Sequence, residues 1–173
     1  MKRARLYNVI FPIWLILFFP PVIFIALAGN YIIDSLVIIG CFYVFRLSAK
    51  QQVNALTFYK KSIVRVWLFG FLADILGAAI LFVVGITGDY LSVPNDISKG
   101  IWFDPFSNPA ALCIILLVML VSCLLIFFFN YKITFKKLIQ DKKSRLLTAL
   151  AMAVITAPWT FLLPTRWFYP HFK

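Results

Sequence analysis

Apolar runs of membrane-crossing length alternate along the chain with short hydrophilic segments. From Val9 to Phe45 the apolar character is interrupted by only Asn30, Asp34 and Ser35. As one straight helix this run would reach about 55 Å, against a hydrocarbon core of about 30 Å. It is therefore expected to fold back on itself. Gly29-Asn30 is the natural turn, giving spans at about residues 9–28 and 31–46, with Pro20-Pro21 bending the first. Further apolar runs predict spans at about residues 66–87, 110–129 and 146–163. The last contains Pro158 between Thr156 and Thr160, a proline placed to open a kink lined with hydroxyls.

The charge pattern orients these spans. Fourteen of the seventeen Lys and Arg residues fall in three stretches, Lys2 to Arg5, Arg46 to Arg65 and Lys132 to Arg145. Five spans place all three on one side, which the excess of basic residues marks as cytoplasmic. The N-terminus is then inside. The opposite side receives the Gly29-Asn30 turn, the segment with Asp89, Asp96 and Asp104 against a lone Lys99, and the tail from Arg166. Aromatic residues agree, with Trp67 and Tyr131 near the inner boundary and Tyr90, Trp102 and Trp167 near the outer one. A competing reading takes Lys2-Arg3-Ala4-Arg5, the following apolar stretch and Ala26-Leu27-Ala28 as a cleaved secretory signal, which would leave four spans.

Composition changes this picture little. A chain of 173 residues that is 63% hydrophobic and 13% charged has too little polar surface for a water-soluble domain. Its net charge of +11 sits beside apolar spans, so anionic lipid headgroups are the expected partner, not nucleic acid. Cys41, Cys113 and Cys123 all lie within apolar runs and read as packing residues, with no spacing that suggests a metal site. The fold class is all-α, a single transmembrane helical bundle.

Asp34 and Asp74 are the carboxylates inside the expected spans, and an ionisable group in a membrane helix is a functional hypothesis by default. Asp74 follows Gly70 by four residues and precedes Gly77 by three, so all three share a helical face with Ala73 beside them. Such a small-residue face admits a second helix at close range. Asp34 follows Asn30 by four and forms a polar strip with it. Counting along the five expected spans sets the two carboxylates at different depths, Asp34 near the outer edge and Asp74 nearer the inner one, too far apart to share a proton. Asn30, Asp34 and Asp74 are the candidates for holding an ion or polar substrate, beside a structural reading in which Asp34 is a water-facing cap near the turn and Asp74 hydrogen-bonds a neighbouring helix; Gly70, Ala73 and Gly77 are the candidates for helix packing.

Between Tyr131 and Arg145, the residues Phe135, Leu138 and Ile139 can share one face of a helix while Lys132, Lys136, Lys137, Lys142 and Lys143 occupy the rest. That pattern suits a short interfacial helix on anionic headgroups, and equally a basic segment that only sets orientation. Enzyme chemistry has little to work with: the chain has one histidine, His171, and no Glu, and no glycine-rich phosphate loop follows a strand. No cofactor is expected.

The segment Lys60-Lys61-Ser62-Ile63, followed by Val66-Trp67-Leu68-Phe69-Gly70-Phe71-Leu72-Ala73-Asp74-Ile75-Leu76-Gly77, and the opening Tyr7-Asn8-Val9-Ile10-Phe11-Pro12-Ile13-Trp14 resemble small multi-pass membrane proteins of low-GC Gram-positive bacteria. The resemblance implies a bacterial cell membrane and brings no activity with it. Two functions follow from the residues. The first is a non-enzymatic membrane subunit that packs on a partner protein or a second copy through the Gly70, Asp74 and Gly77 face. The second is a small oligomeric transporter or channel in which Asp74 couples to a proton, a cation or a polar substrate.

Overall fold

The computed structural model describes residues 12–51, 54–90 and 94–168, whose regular secondary structure is all helical, without a strand. A short helix α1 (Ile13–Ile16) leads through Pro20 and Pro21 into α2 (Val22–Val44). After α3 (Leu47–Gln51) comes α4 (Ala55–Tyr90), then α5 (Asn95–Trp102), α6 (Pro109–Phe129) and α7 (Lys142–Ile155). Single turns of 3-10 helix cover Pro105–Ser107, Trp159–Leu162 and Thr165–Trp167, and a π-helical turn, Asn130–Thr134, extends α6.

Four segments are long and apolar enough to cross a membrane: Val22–Val44, Ala55–Thr87, Pro109–Thr134 and Lys142–Leu162. They form a closed ring, with α2 against α4, α4 against α6, α6 against α7 and α7 back against α2. Short connections make successive members antiparallel, so the exposed basic side chains Arg46, Lys60, Lys136, Lys137, Lys142 and Lys143 gather at one end. This is the basic end; α1, α5 and the 3-10 turns lie at the other, distal end. Outward-facing positions are apolar along the ring, including Ile25, Leu36, Leu117 and Leu124, each more than half exposed. A surface of this kind is suited to lipid.

The expected turn at Gly29-Asn30 is absent, and α2 runs through it unbroken. The length problem of the first apolar run is solved earlier, where Pro20 and Pro21 interrupt the helix. A helix of 23 residues starting at Val22 spans about 35 Å, enough for one crossing. Residues 12–21 therefore do not form the C-terminal part of a first span. They cap the distal end, where Trp14 is buried, stacks on Trp102 at 5.8 Å and donates its indole N–H to the Ile101 carbonyl. Ala26-Leu27-Ala28 lies inside α2. Lys2 to Arg5, and with them the placement of the N-terminus, lie outside the described residues.

Other boundaries follow from caps and prolines. Pro109 opens α6, and the Asn108 side chain accepts the Ala110 and Ala111 amides at 2.8 and 3.3 Å. Asp141 caps α7 by accepting the Ser144 amide at 3.0 Å. The expected interfacial helix at residues 131–145 is instead a π turn and a chain reversal. Phe135 and Ile139 are fully buried beneath α4, with Phe135 stacked on Phe58 at 6.1 Å, while Lys132, Lys136 and Lys137 stay exposed. A surface helix could not bury both side chains within the bundle.

The core has two apolar clusters. Toward the basic end, Ile38, Phe42, Phe58, Val66, Ala73, Ile126, Phe135 and Met152 pack together. Toward the distal end, Trp14, Ala78, Leu81, Ile115, Met119 and Phe161 form a second. Asp74 falls between Ala73 of the first and Ala78 of the second.

Candidate functional site

With α2 starting at Val22, Asp34 becomes the thirteenth of its 23 residues and lies at mid-helix. Asn30 is one turn away on the same face. On α4, Gly70 precedes Asp74 by one turn. The two strips meet crosswise. The Asn30 amide donates to Asp74 Oδ2 at 3.4 Å, and Asp34 Oδ2 lies 3.7 Å from where a Gly70 Cβ would stand. Both carboxylates line one cavity of about 240 Å³. The expectation that different depths keep them apart is thus overturned, and the cause is the shifted start of α2.

A Cβ at Gly70 would stand in ordinary van der Waals contact with Asp34. Elsewhere the small-residue face of α4 is covered from within the chain. Ala73 is fully buried and its carbonyl accepts the Ser122 hydroxyl of α6 at 3.3 Å. A Cβ at Gly77 would collide with the Ser122 hydroxyl and come within 2.9 Å of Phe161. The Gly70, Ala73 and Gly77 face therefore packs on α2, α6 and the turn after α7.

Trp67 also joins α2 to α4, donating its indole N–H to the Leu27 carbonyl at 3.0 Å and meeting Tyr31 edge-on at 6.0 Å. Tyr59 bridges Ser35 and Tyr31 at 3.0 and 3.1 Å. These ties fix the register that sets Asn30 beside Asp74.

A further wall of the cavity is the broken end of α7. Pro158 has no N–H to continue the helix and disfavours helical geometry at Ala157, so α7 stops at Ile155. Beyond the break, the Trp159 amide turns back onto the Ala157 carbonyl and the Phe161 amide onto that of Pro158. Ile155, Thr156 and Ala157 line the cavity, so the C-terminal end of a 14-residue helix, with its partial negative charge, forms part of its wall. Leu17, Phe18, Phe71, Trp159 and Phe161 supply apolar and aromatic walls. None of the described lining residues is Lys, Arg or His.

Asp34 is 3% exposed and accepts no hydrogen bond among the described residues. Asp74 Oδ1 is likewise buried and without a hydrogen-bond partner. Two unpaired carboxylates this deep in an apolar bundle are costly as bare anions. The arrangement suits a species that brings positive charge to both.

Sequence reasoning singled out Asn30, Asp34, Gly70, Asp74, Thr156, Pro158 and Thr160, and the structure brings these seven to one cavity. It missed Phe18 and Phe71, which carry no signal in an apolar run. Lys132, Lys136, Lys137, Lys142 and Lys143 are remote from the cavity and exposed at the basic end, where Arg145 lies over the Tyr131 ring at 4.7 Å. No protein-family model, curated protein or solved structure matches the chain.

Proposed function

We propose that this is a non-enzymatic integral membrane protein of the bacterial cell membrane that carries a cation or proton, with Asp34 and Asp74 as the coupling groups. The observation that supports it is the meeting of the Asn30/Asp34 and Gly70/Asp74 strips at a cavity walled on one side by a broken helix. Irregular backbone at membrane depth is tolerated where it lines a cavity, and interrupted helices with exposed terminal dipoles are a recurrent way of holding ions there. The basic end faces the cytoplasm on this reading, and its lysines contact anionic headgroups. A partner helix on the Gly70 and Gly77 face is less favoured, because the chain's own α2 and α6 already occupy it.

Reconstitution tests the proposal. Proteoliposomes carrying a pH-sensitive dye are given a potassium diffusion potential, and proton flux is followed with and without added sodium. Wild-type protein is expected to carry flux. Asp74→Asn keeps shape and hydrogen bonding while removing the ionisable proton, and is expected to lose at least about tenfold of that flux, as is Asp34→Asn. Both variants should elute and melt like the parent. Flux through Asp74→Asn equal to the wild type would sink the proposal.

A further inference from the structure

The cavity is larger than a proton or a bare metal ion requires. About 240 Å³ corresponds to roughly eight water volumes at about 30 Å³ each. Its chemistry is also divided. Its charged groups are Asp34 and Asp74, and the Asn30 amide is already committed to Asp74. Apart from Thr156 and Thr160, the rest of the lining is mostly apolar, with the Phe18 and Phe71 rings 5.9 Å apart. A divalent metal ion would seek six or more oxygen ligands. Among the described residues no cluster of three His, Cys, Asp or Glu side chains exists to supply them.

Resting on the proposed cation coupling, we infer that the cavity takes a small organic ammonium ion, its charged head between Asp34 and Asp74 and its apolar body against Phe18, Phe71 and Phe161. The head meets the Asp34 carboxylate, which accepts no hydrogen bond among the described residues, and offsets the charge of Asp74 beside it. An amine of this class brings one charge and up to three N–H donors, which matches a buried carboxylate pair better than a fully hydrated inorganic ion does. The aromatic walls add attraction for the cation where the rings present their faces, and burial of the hydrocarbon body does the rest.

Calorimetric titration of the detergent-solubilised full chain at neutral pH, with 2-phenylethylammonium as the probe, tests this. Saturable binding at one site is expected. 2-Phenylethanol, equal in heavy atoms but uncharged, should bind at least about tenfold more weakly, and so should methylammonium, which has the head without the body. Asp34→Asn and Asp74→Asn should each lose at least about tenfold in affinity for the ammonium. The ligand comparison on wild-type protein stands even if a variant does not fold. Equal binding of the alcohol, or equal binding of methylammonium, overturns the inference. So does absence of 2-phenylethylammonium binding: if Asp74-dependent proton or sodium flux persists, only the organic ligand is wrong, whereas loss of both results removes the cation-coupling proposal as well.

Discussion

At the scale of single residues, glycines separate into those that let helices touch and those that do not. Gly77 and Gly85 belong to the first kind: a Cβ at Gly85 would stand 2.6 Å from the Trp102 ring, and one at Gly77 would meet Ser122 and Phe161. Overpacking at such contacts costs about 1–3 kcal/mol. Gly29 and Gly40 have nothing within 4 Å of an added Cβ, and alanine is the better helix former by about 1 kcal/mol. Thermal unfolding in detergent should therefore show Gly77→Ala and Gly85→Ala melting below the parent, with Gly29→Ala and Gly40→Ala level with it or above. A parental melting temperature for Gly77→Ala would mean that α4 and α6 are not as close as Ser122 implies. The spacing of Gly70, Asp74 and Gly77 was legible in the sequence as one face; what covers that face was not. Periodicity identifies a surface, whereas the choice between a neighbour in the same chain and one in another depends on the packing of α2 and α6.

At the scale of elements, hydropathy located apolar segments better than it located helices. The expected span at residues 110–129 differs by one residue from α6, because Asn108 and Pro109 set a sharp start. The expected span at 66–87 lies inside a helix of 36 residues, since Lys60, Lys61 and Arg65 are good helix formers that hydropathy excludes. Gly29-Asn30 looked like a turn because the surrounding run was too long for one crossing, but the prolines at 20 and 21 relieve that length by themselves. Asn30 then enters the helix interior, with Asp74 as its partner. Pro158 acts in the same way on α7, and here the consequence is testable. In Pro158→Ala the restored amide can donate to the preceding turn, so α7 should lengthen by about one turn, visible as a gain in far-ultraviolet helical signal. The extension would carry Thr156 and Ala157 out of the cavity wall, and ion flux should fall at least about tenfold while thermal stability holds or rises. Unchanged flux with a gain in helix would show that the broken end of α7 has no part in holding the ion.

At the scale of the whole molecule, the ring of α2, α4, α6 and α7 offers four apolar helices for crossing a membrane, and the position of the carboxylates depends on where α2 begins. Five spans with a turn at Gly29-Asn30 would put Ile32 just beneath the outer surface and Phe19 inside the bilayer. Four crossing helices reverse this: Phe19 stands just before α2, at the distal end, whereas Ile32 is ten residues, about 15 Å, beyond the helix start at Val22 and faces outward at 59% exposure. Single cysteines distinguish the two, in a background with Cys41, Cys113 and Cys123 replaced by Ala. A membrane-impermeant maleimide applied to intact cells should label Phe19→Cys, Asn95→Cys and Ser107→Cys. Ser48→Cys and Lys137→Cys, at the basic end, should label only after permeabilisation, and Ile32→Cys should resist labelling in both conditions. Labelling of Ile32→Cys but not Phe19→Cys in intact cells would restore the turn at Gly29-Asn30. It would also lift Asp34 toward the surface, away from Gly70 and Asp74, and so dissolve the carboxylate pair. The same experiment that decides the number of spans therefore decides whether the cavity has two acids or one.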